Sequence, residues 1–180
     1  MEVLATPLPG LILLAPRVFV DRRGFLLESW HAARYAELGI AGPFVQDNLS
    51  RSVRRTVRGL HYQVGAPQGK LVQVVRGAAF DVAVDLRASS PSFGRWFGAV
   101  LSDENHHQLW IPAGFAHGFL VLSEAADVGY KITAPYVAAD ERAVLWNDPA
   151  IGIAWPLDGE PILSAKDLAA PPLARAETFA

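Results

Sequence analysis

The 180-residue sequence has no cysteine, which excludes disulfides, thiolate metal sites and a cysteine nucleophile. Charge of one sign is also missing: 16 Lys and Arg against 18 Asp and Glu leave a formal net charge of −2. A general nucleic-acid surface needs a basic excess, so no nucleic-acid partner is expected. The one basic cluster, Arg51, Arg54, Arg55 and Arg58, is too small for such a surface but adequate for one diphosphate. No apolar run approaches the ~18 residues of a membrane span. Residues 11–15 are apolar but short and Pro-flanked, and no charged leader region precedes them. The expectation is a cytoplasmic protein with no membrane partner. Repeats, low-complexity tracts and linkers are absent too, so residues 1–180 read as one domain, long enough to bury a core without staples.

What is present is a series of short strands. Residues 11–20, interrupted by Pro16, and residues 25–30 flank the charged turn Asp21-Arg22-Arg23-Gly24 and read as a hairpin. Residues 31–38 are the one clear helix, closed by Gly39, with His31 at its start as a capping or surface residue. Strands are expected at 44–50, 56–63, 70–76, 79–87, 95–102, 108–111, 115–123, 127–133 and 142–146. In residues 79–87, Phe80, Val82, Val84 and Leu86 alternate with Asp81, Ala83 and Asp85, giving one apolar and one small, acidic face. The tail from Ala154 is Pro-rich and is expected to pack back on the barrel. The fold class is all-β, a sandwich or barrel of about ten strands with one or two short helices.

Arg55-Thr-Val-Arg-Gly-Leu-His-Tyr-Gln63 organises the chain. Thr56, Val57, Leu60 and Tyr62 are strand formers, yet Arg58, His61 and Gln63 are costly to bury without partners. They line a polar pocket or belong to an edge strand with one solvated face. Of the five histidines, His106 and His107 are adjacent, point to opposite faces if on a strand, and read as surface. His61 and His117 each fall within a strand pattern, His117 among Phe115, Phe119 and Val121; a core histidine with one hydrogen bond is the alternative. Two imidazoles with carboxylates suit general acid–base chemistry near neutral pH. Asp81, Asp85 and Asp167 are each candidates to orient a ring. Lys70 can stabilise an enolate and Tyr130 can donate a proton, unless Tyr130 merely packs.

Residues 111–119, Ile-Pro-Ala-Gly-Phe-Ala-His-Gly-Phe, resemble the second motif of the cupin superfamily, whose His often binds metal. The first cupin motif offers a His-x-His pair, whereas this chain has His61-Tyr62-Gln63. Two imidazoles are a poor set for Fe or Zn, so neither metal nor cofactor is expected.

Taken together, Asp21-Arg22-Arg23-Gly24-Phe25, Phe44-Val45-Gln46-Asp47-Asn48, Arg58-Gly59-Leu60-His61, Gln68-Gly69-Lys70-Leu71, Ser90-Pro91-Ser92-Phe93-Gly94, Leu109-Trp110-Ile111-Pro112 and Ser164-Ala165-Lys166-Asp167 resemble the dTDP-4-dehydrorhamnose 3,5-epimerase family. The likeness runs from about residue 11 to 172. It implies a metal-free jelly-roll cupin acting as a homodimer on a dTDP-linked 4-keto-6-deoxyhexose, with dimerisation through residues 11–30. It also implies His61 as base, Asp167 as its partner, Tyr130 as proton donor and Lys70 at the enolate. The substrate positions implied are Glu28, Gln46, Asn48, Arg58, His117, Glu141 and Lys166, with Arg23 supplied by a second subunit. Inversion at both C3 and C5 is the leading expectation; a 3-only or 5-only epimerase and a non-catalytic sugar-binding jelly roll are the alternatives. Strict alternation puts Arg58 and His61 on opposite faces, and a bulge at Gly59 would reconcile them.

Overall fold

Short β-branched and aromatic runs, separated by Gly, Pro and Asp turns, form thirteen strands and two short helices in the computed structural model, which describes residues 1–40 and 42–180. In chain order these are β1 Glu2–Ala5, β2 Ile12–Ala15, β3 Val18–Asp21, β4 Gly24–Leu27, α1 Ala32–Glu37, β5 Gln46–Val53 and β6 Val57–Gln63. There follow β7 Lys70–Arg76, β8 Ala78–Asp85, β9 Trp96–Ser102, β10 Gln108–Ile111, β11 Phe115–Val121, β12 Ala125–Ile132, β13 Glu141–Ala143 and α2 Ala165–Leu168. Among the described residues no helix is long and apolar enough to cross a membrane.

Two antiparallel sheets face each other as a jelly roll of the cupin type. One has the order β1-β2-β10-β7-β12-β5 and the other β13-β6-β11-β8-β9. Their inner faces meet in a core that includes Val72, Val74, Leu109 and Val128 from the first sheet and Ala83, Phe115, Phe119 and Val121 from the second. Full burial of such a side chain stabilises by roughly 1.5–3 kcal/mol.

The alternation along β8 has a use on both sides. Val82, Val84 and Leu86 turn outward with Leu60 and Tyr62, and Ile151, Trp155, Leu173 and Phe179 of the C-terminal segment cover them. Phe179 N–H donates to Leu86 O at 3.0 Å, and Tyr62 OH donates to Glu177 O at 2.5 Å, so the tail is tied down by polar contacts as well. Asp85, at the end of β8, accepts from Arg87 Nε at 2.8 Å and from Ser90 Oγ and Ser92 Oγ at 2.6 Å each. Burial would raise its carboxyl, but these bonds outweigh that and hold it at about 2. Asp85 therefore pins the turn after β8 and orients no histidine.

Two points in the N-terminal segment need correction. Residues 11–30 are not one hairpin: β2 joins the large sheet beside β10, while β3 and β4 form a separate ribbon. Pro16, without an N–H, ends the first ladder and lets the chain leave the sheet. β1, with only four residues and no clear alternation, pairs with β2 and was not expected. His106 and His107 fall between the expected strands 95–102 and 108–111 and lie in the turn before β10, where the Asn105 side chain accepts from Ser102 N–H and His107 N–H and closes that turn. The His106 ring packs against that of Phe25, tilted by 42° with ring centroids 4.6 Å apart. As expected, His31 caps α1, its Nδ1 accepting from Arg34 N–H at 3.4 Å.

Candidate active site

Between β5, β7 and β12 on one wall and β6, β11 and β13 on the other lies a cavity of about 390 Å³. Its polar lining starts from an irregularity in β6. His61 pairs with His117 and Arg58 pairs with Phe119, so Gly59 and Leu60 together span the single residue Gly118. This is a β-bulge. Gly59 has φ +120°, and a Cβ there would lie 2.6 Å from Gly118 Cα and 2.7 Å from His117 O. Only glycine fits. The extra residue shifts the phase of the strand, so Arg58, His61 and Gln63 all line the cavity while Leu60 and Tyr62 join the outer core.

His61 Nε2 lies 2.5 Å from Asp167 Oδ1. Asp167 is fixed by the start of α2: the N-cap Ser164 Oγ accepts from Asp167 N–H at 3.1 Å and donates to Asp167 Oδ2 at 2.8 Å. Burial pushes the Asp167 carboxyl up, but the His61 contact, Ser164 and the Lys166 charge together hold it below its ordinary value. An ionised Asp167 accepts the Nε2 proton, which leaves Nδ1 of His61 free to take another.

The second imidazole has its own carboxylate. His117 Nε2 lies 2.9 Å from Asp81 Oδ2, and Asp81 is fully buried with its Oδ1 unpartnered. Of the three aspartates open to choice, Asp167 thus serves His61, Asp81 serves His117 and Asp85 serves neither. Lys70 is also buried and donates from Nζ to His61 O at 3.3 Å. Burial lowers the Lys70 ammonium to about 8, with the charges of Asp81 and Glu141 opposing the fall. At pH 7 it is mostly charged.

Tyr130 enters from β12 on the opposite wall, its ring centroid 6.3 Å from that of His117. Burial raises the phenol above its ordinary value, so it remains protonated at neutral pH. Gln46 and Asn48 of β5 line the same wall, Gln46 Nε2 donating to Asn48 Oδ1 at 2.9 Å. Arg58 is held by Ser52 Oγ, 2.9 Å from its Nε. At the rim Glu141 forms an ion pair with Lys166 and accepts from Tyr136 OH at 2.8 Å.

Ten of the twelve site residues expected from sequence are accounted for in and around the cavity: nine line it, and Asp167 supports His61 from just behind. Arg23 and Glu28 are not there. Arg23 is at the tip of the β3–β4 ribbon, its side chain 83% exposed and paired with Asp21. Glu28 follows the ribbon and is paired with Arg34 of α1. The ribbon stands apart from both sheets, which keeps both residues from the cavity of their own chain. Ser50, Gln68, Phe119 and Tyr136 also line it without having been singled out for it. Phe119 shares the alternation of His117, and Gln68 adjoins Lys70; these were the available signals. Tyr136 lies in a loop with no periodicity.

Among the described residues no three His, Cys, Asp or Glu side chains are grouped to hold a metal ion. Each imidazole is instead paired with one carboxylate. An imidazole on one wall facing a phenol and a buried ammonium on the other is a set of groups able to remove a proton beside a carbonyl and return one from the opposite side. Fold and cavity define a cupin-type acid–base isomerase.

The comparisons with known proteins agree. The family profile described as dTDP-4-dehydrorhamnose 3,5-epimerase matches residues 5–175. The protein of that name from Pseudomonas aeruginosa is 51% identical over 180 residues, covering 99% of each chain. The one from Neisseria gonorrhoeae is 53% identical over the whole of this chain, which spans 55% of that longer protein. The crystal structure of the Legionella pneumophila dTDP-6-deoxy-D-glucose-3,5-epimerase in complex with dTDP-4-keto-L-rhamnose superposes with a TM-score of 0.95 at 50% identity, covering 97% of this chain and 93% of that one. The chain belongs to the dTDP-4-dehydrorhamnose 3,5-epimerase family.

Proposed function

We propose that this chain inverts C3 and C5 of dTDP-4-dehydro-6-deoxy-D-glucose to give dTDP-4-dehydro-L-rhamnose. The supporting observation is the pairing of His61–Asp167 on one wall with Tyr130 on the other, beside Lys70. The C4 ketone acidifies the hydrogens at C3 and C5. His61 takes a proton through its free nitrogen, and the C–H electron pair moves into the enolate, whose oxygen Lys70 stabilises. Tyr130 then delivers a proton to the opposite face, the enolate collapses to the ketone, and solvent resets both residues. Because the ketone is itself the electron sink, the chemistry calls for no cofactor or metal, and activity should survive EDTA.

Arg58 and Lys166 are suited to the diphosphate by charge and His117 by its ring nitrogens, Gln46, Asn48 and Glu141 to polar groups of the nucleotide sugar, and the flat Tyr136 ring to its base. Arg23 and Glu28 complete the site from a second subunit. The ribbon supports this, since it exposes Phe19, Val20, Phe25 and Leu26 around Arg23. The functional unit is thus a cytoplasmic homodimer of single-domain chains joined through the N-terminal ribbon. Mixing inactive Arg23→Ala with inactive His61→Ala dimers should restore part of the activity; no recovery after demonstrated subunit exchange would remove Arg23 from the partner's site. Recovery of the protein in the membrane pellet would contradict the cytoplasmic assignment.

The direct test is incubation with dTDP-4-dehydro-6-deoxy-D-glucose and assignment of the product by NMR. Two inverted centres support the proposal. One inverted centre would make the chain a single-carbon epimerase, and an unchanged sugar would leave a binding protein.

A further inference from the structure

Gln63 is a polar side chain only 2% exposed, and the reaction gives it no task. Its amide is nevertheless fully engaged. Nε2 donates to Ala66 O at 2.7 Å and to Pro135 O at 3.1 Å, while Oε1 accepts from Val137 N–H at 2.8 Å and from Gln68 Nε2 at 3.5 Å. Two donors and two acceptors are the whole capacity of a carboxamide.

Two of those bonds hold one loop directly, and a third reaches it through Gln68. Residues 134–137 follow β12 and belong to no strand, so their backbone groups need partners from elsewhere. Glutamines supply them. Besides the Gln63 bonds, Gln68 Nε2 donates to Ala134 O at 3.0 Å and Pro135 O at 3.2 Å, and Gln46 Oε1 accepts from Tyr136 N–H at 3.0 Å. The Tyr136 side chain is 52% exposed at the cavity mouth and has one polar tether of its own, the hydroxyl bond to Glu141. A half-exposed ring on an irregular loop is held in place mainly by what fixes its backbone.

We propose that Gln63 is the positioning residue for Tyr136, fixing the 134–137 backbone so that the ring forms the wall against which the nucleobase end of the substrate packs. Gln63 is two residues from His61 on the same strand and the same wall, about 7 Å along β6. One strand therefore sets both the base that meets the sugar and the loop that meets the nucleobase. A fully satisfied buried amide suits this, because any displacement of the loop breaks several bonds at once. As a substrate contact, Tyr136 depends on the nucleotide-sugar function proposed above.

The test is a double-mutant cycle with Gln63→Met, which keeps side-chain length and removes all four bonds, and Tyr136→Ala. The probes are dTDP and inorganic pyrophosphate, with calorimetric affinities, and the sugar nucleotide for kinetics. Gln63→Met should weaken dTDP about tenfold, as loss of a base-stacking contact does, and raise KM more than it lowers kcat. Pyrophosphate affinity should stay within about twofold. In a Tyr136→Ala background the Gln63 change should cost dTDP nothing further. Unaltered dTDP affinity in Gln63→Met, equal loss with both probes, or full loss persisting without Tyr136 would each overturn the assignment. If Gln63→Met does not fold, Gln68→Ala removes part of the same support and should show the same pattern at about threefold; no change would count against the proposal equally. Wild-type protein that fails to bind dTDP would overturn the nucleotide-sugar function itself, a separate outcome.

Discussion

Asp167→Asn isolates what the carboxylate does for His61, since it alters one atom of the side chain and leaves the Ser164 cap of α2 available. Ser164 Oγ donates to Asp167 Oδ2 in the native protein, so the asparagine oxygen is expected to stay on that side. Its NH2 then faces His61 Nε2, where the native carboxylate oxygen sits at 2.5 Å. Two donors would meet, and the ring must move its proton to Nδ1, the atom needed to take one from the sugar. Loss of the charge-assisted bond alone is worth about 1.5–3 kcal/mol, or about 10- to 150-fold in the rate of proton removal. The wrong tautomer adds to this; the same change in a Ser-His-Asp triad costs about 10⁴. The expected loss is therefore about 10²–10⁴-fold in kcat, measured as NMR-detected exchange at saturating sugar nucleotide, with dTDP affinity within about threefold of native. Exchange within about threefold of native would refute the pairing as a catalytic device.

Tyr130→Phe should still wash solvent deuterium into the sugar but lose inversion by about 10²–10⁴-fold, most clearly at C5; native inversion would make Tyr130 a packing residue. Gly59→Ala should destabilise by about 3 kcal/mol or more in urea unfolding, because the new Cβ meets the β11 backbone at a positive φ; a loss under about 1 kcal/mol would contradict the bulge. The Lys70 ammonium, lowered to about 8 by burial, should give kcat/KM an alkaline limb near that pH, absent in Lys70→Arg. Its folded value lies below the unfolded one, so the unfolded chain binds more protons between about pH 8 and 10.5, and the Lys70 contribution to stability rises across that window. A flat activity profile to about pH 9.5 would place no titrating lysine in the site.

Much of this was legible in sequence, for physical reasons. Alternation along residues 80–86 gave away β8 because side chains on a strand change face at each step. The same rule exposed the conflict between Arg58 and His61 and pointed to Gly59, the one residue there able to take the bulge conformation. What was hidden depends on long-range geometry. By spacing alone Asp81, Asp85 and Asp167 were equivalent as partners for His61, and only the family resemblance singled out Asp167, because the contact joins α2 to β6 across 106 residues. Pro16 divides two sheets rather than kinking one strand, which depends on what β2 finds to pair with. The Tyr136 loop has no period because its backbone is satisfied by glutamine side chains instead of a ladder.

The central claim is proton removal by His61 and return from the other face, and solvent isotope reads it directly. In D₂O, dTDP-4-dehydro-6-deoxy-D-glucose should gain deuterium at both C3 and C5, each centre inverted, and His61→Ala should incorporate none at either carbon while still binding dTDP. Inverted product without deuterium, or native exchange in His61→Ala, would contradict the account.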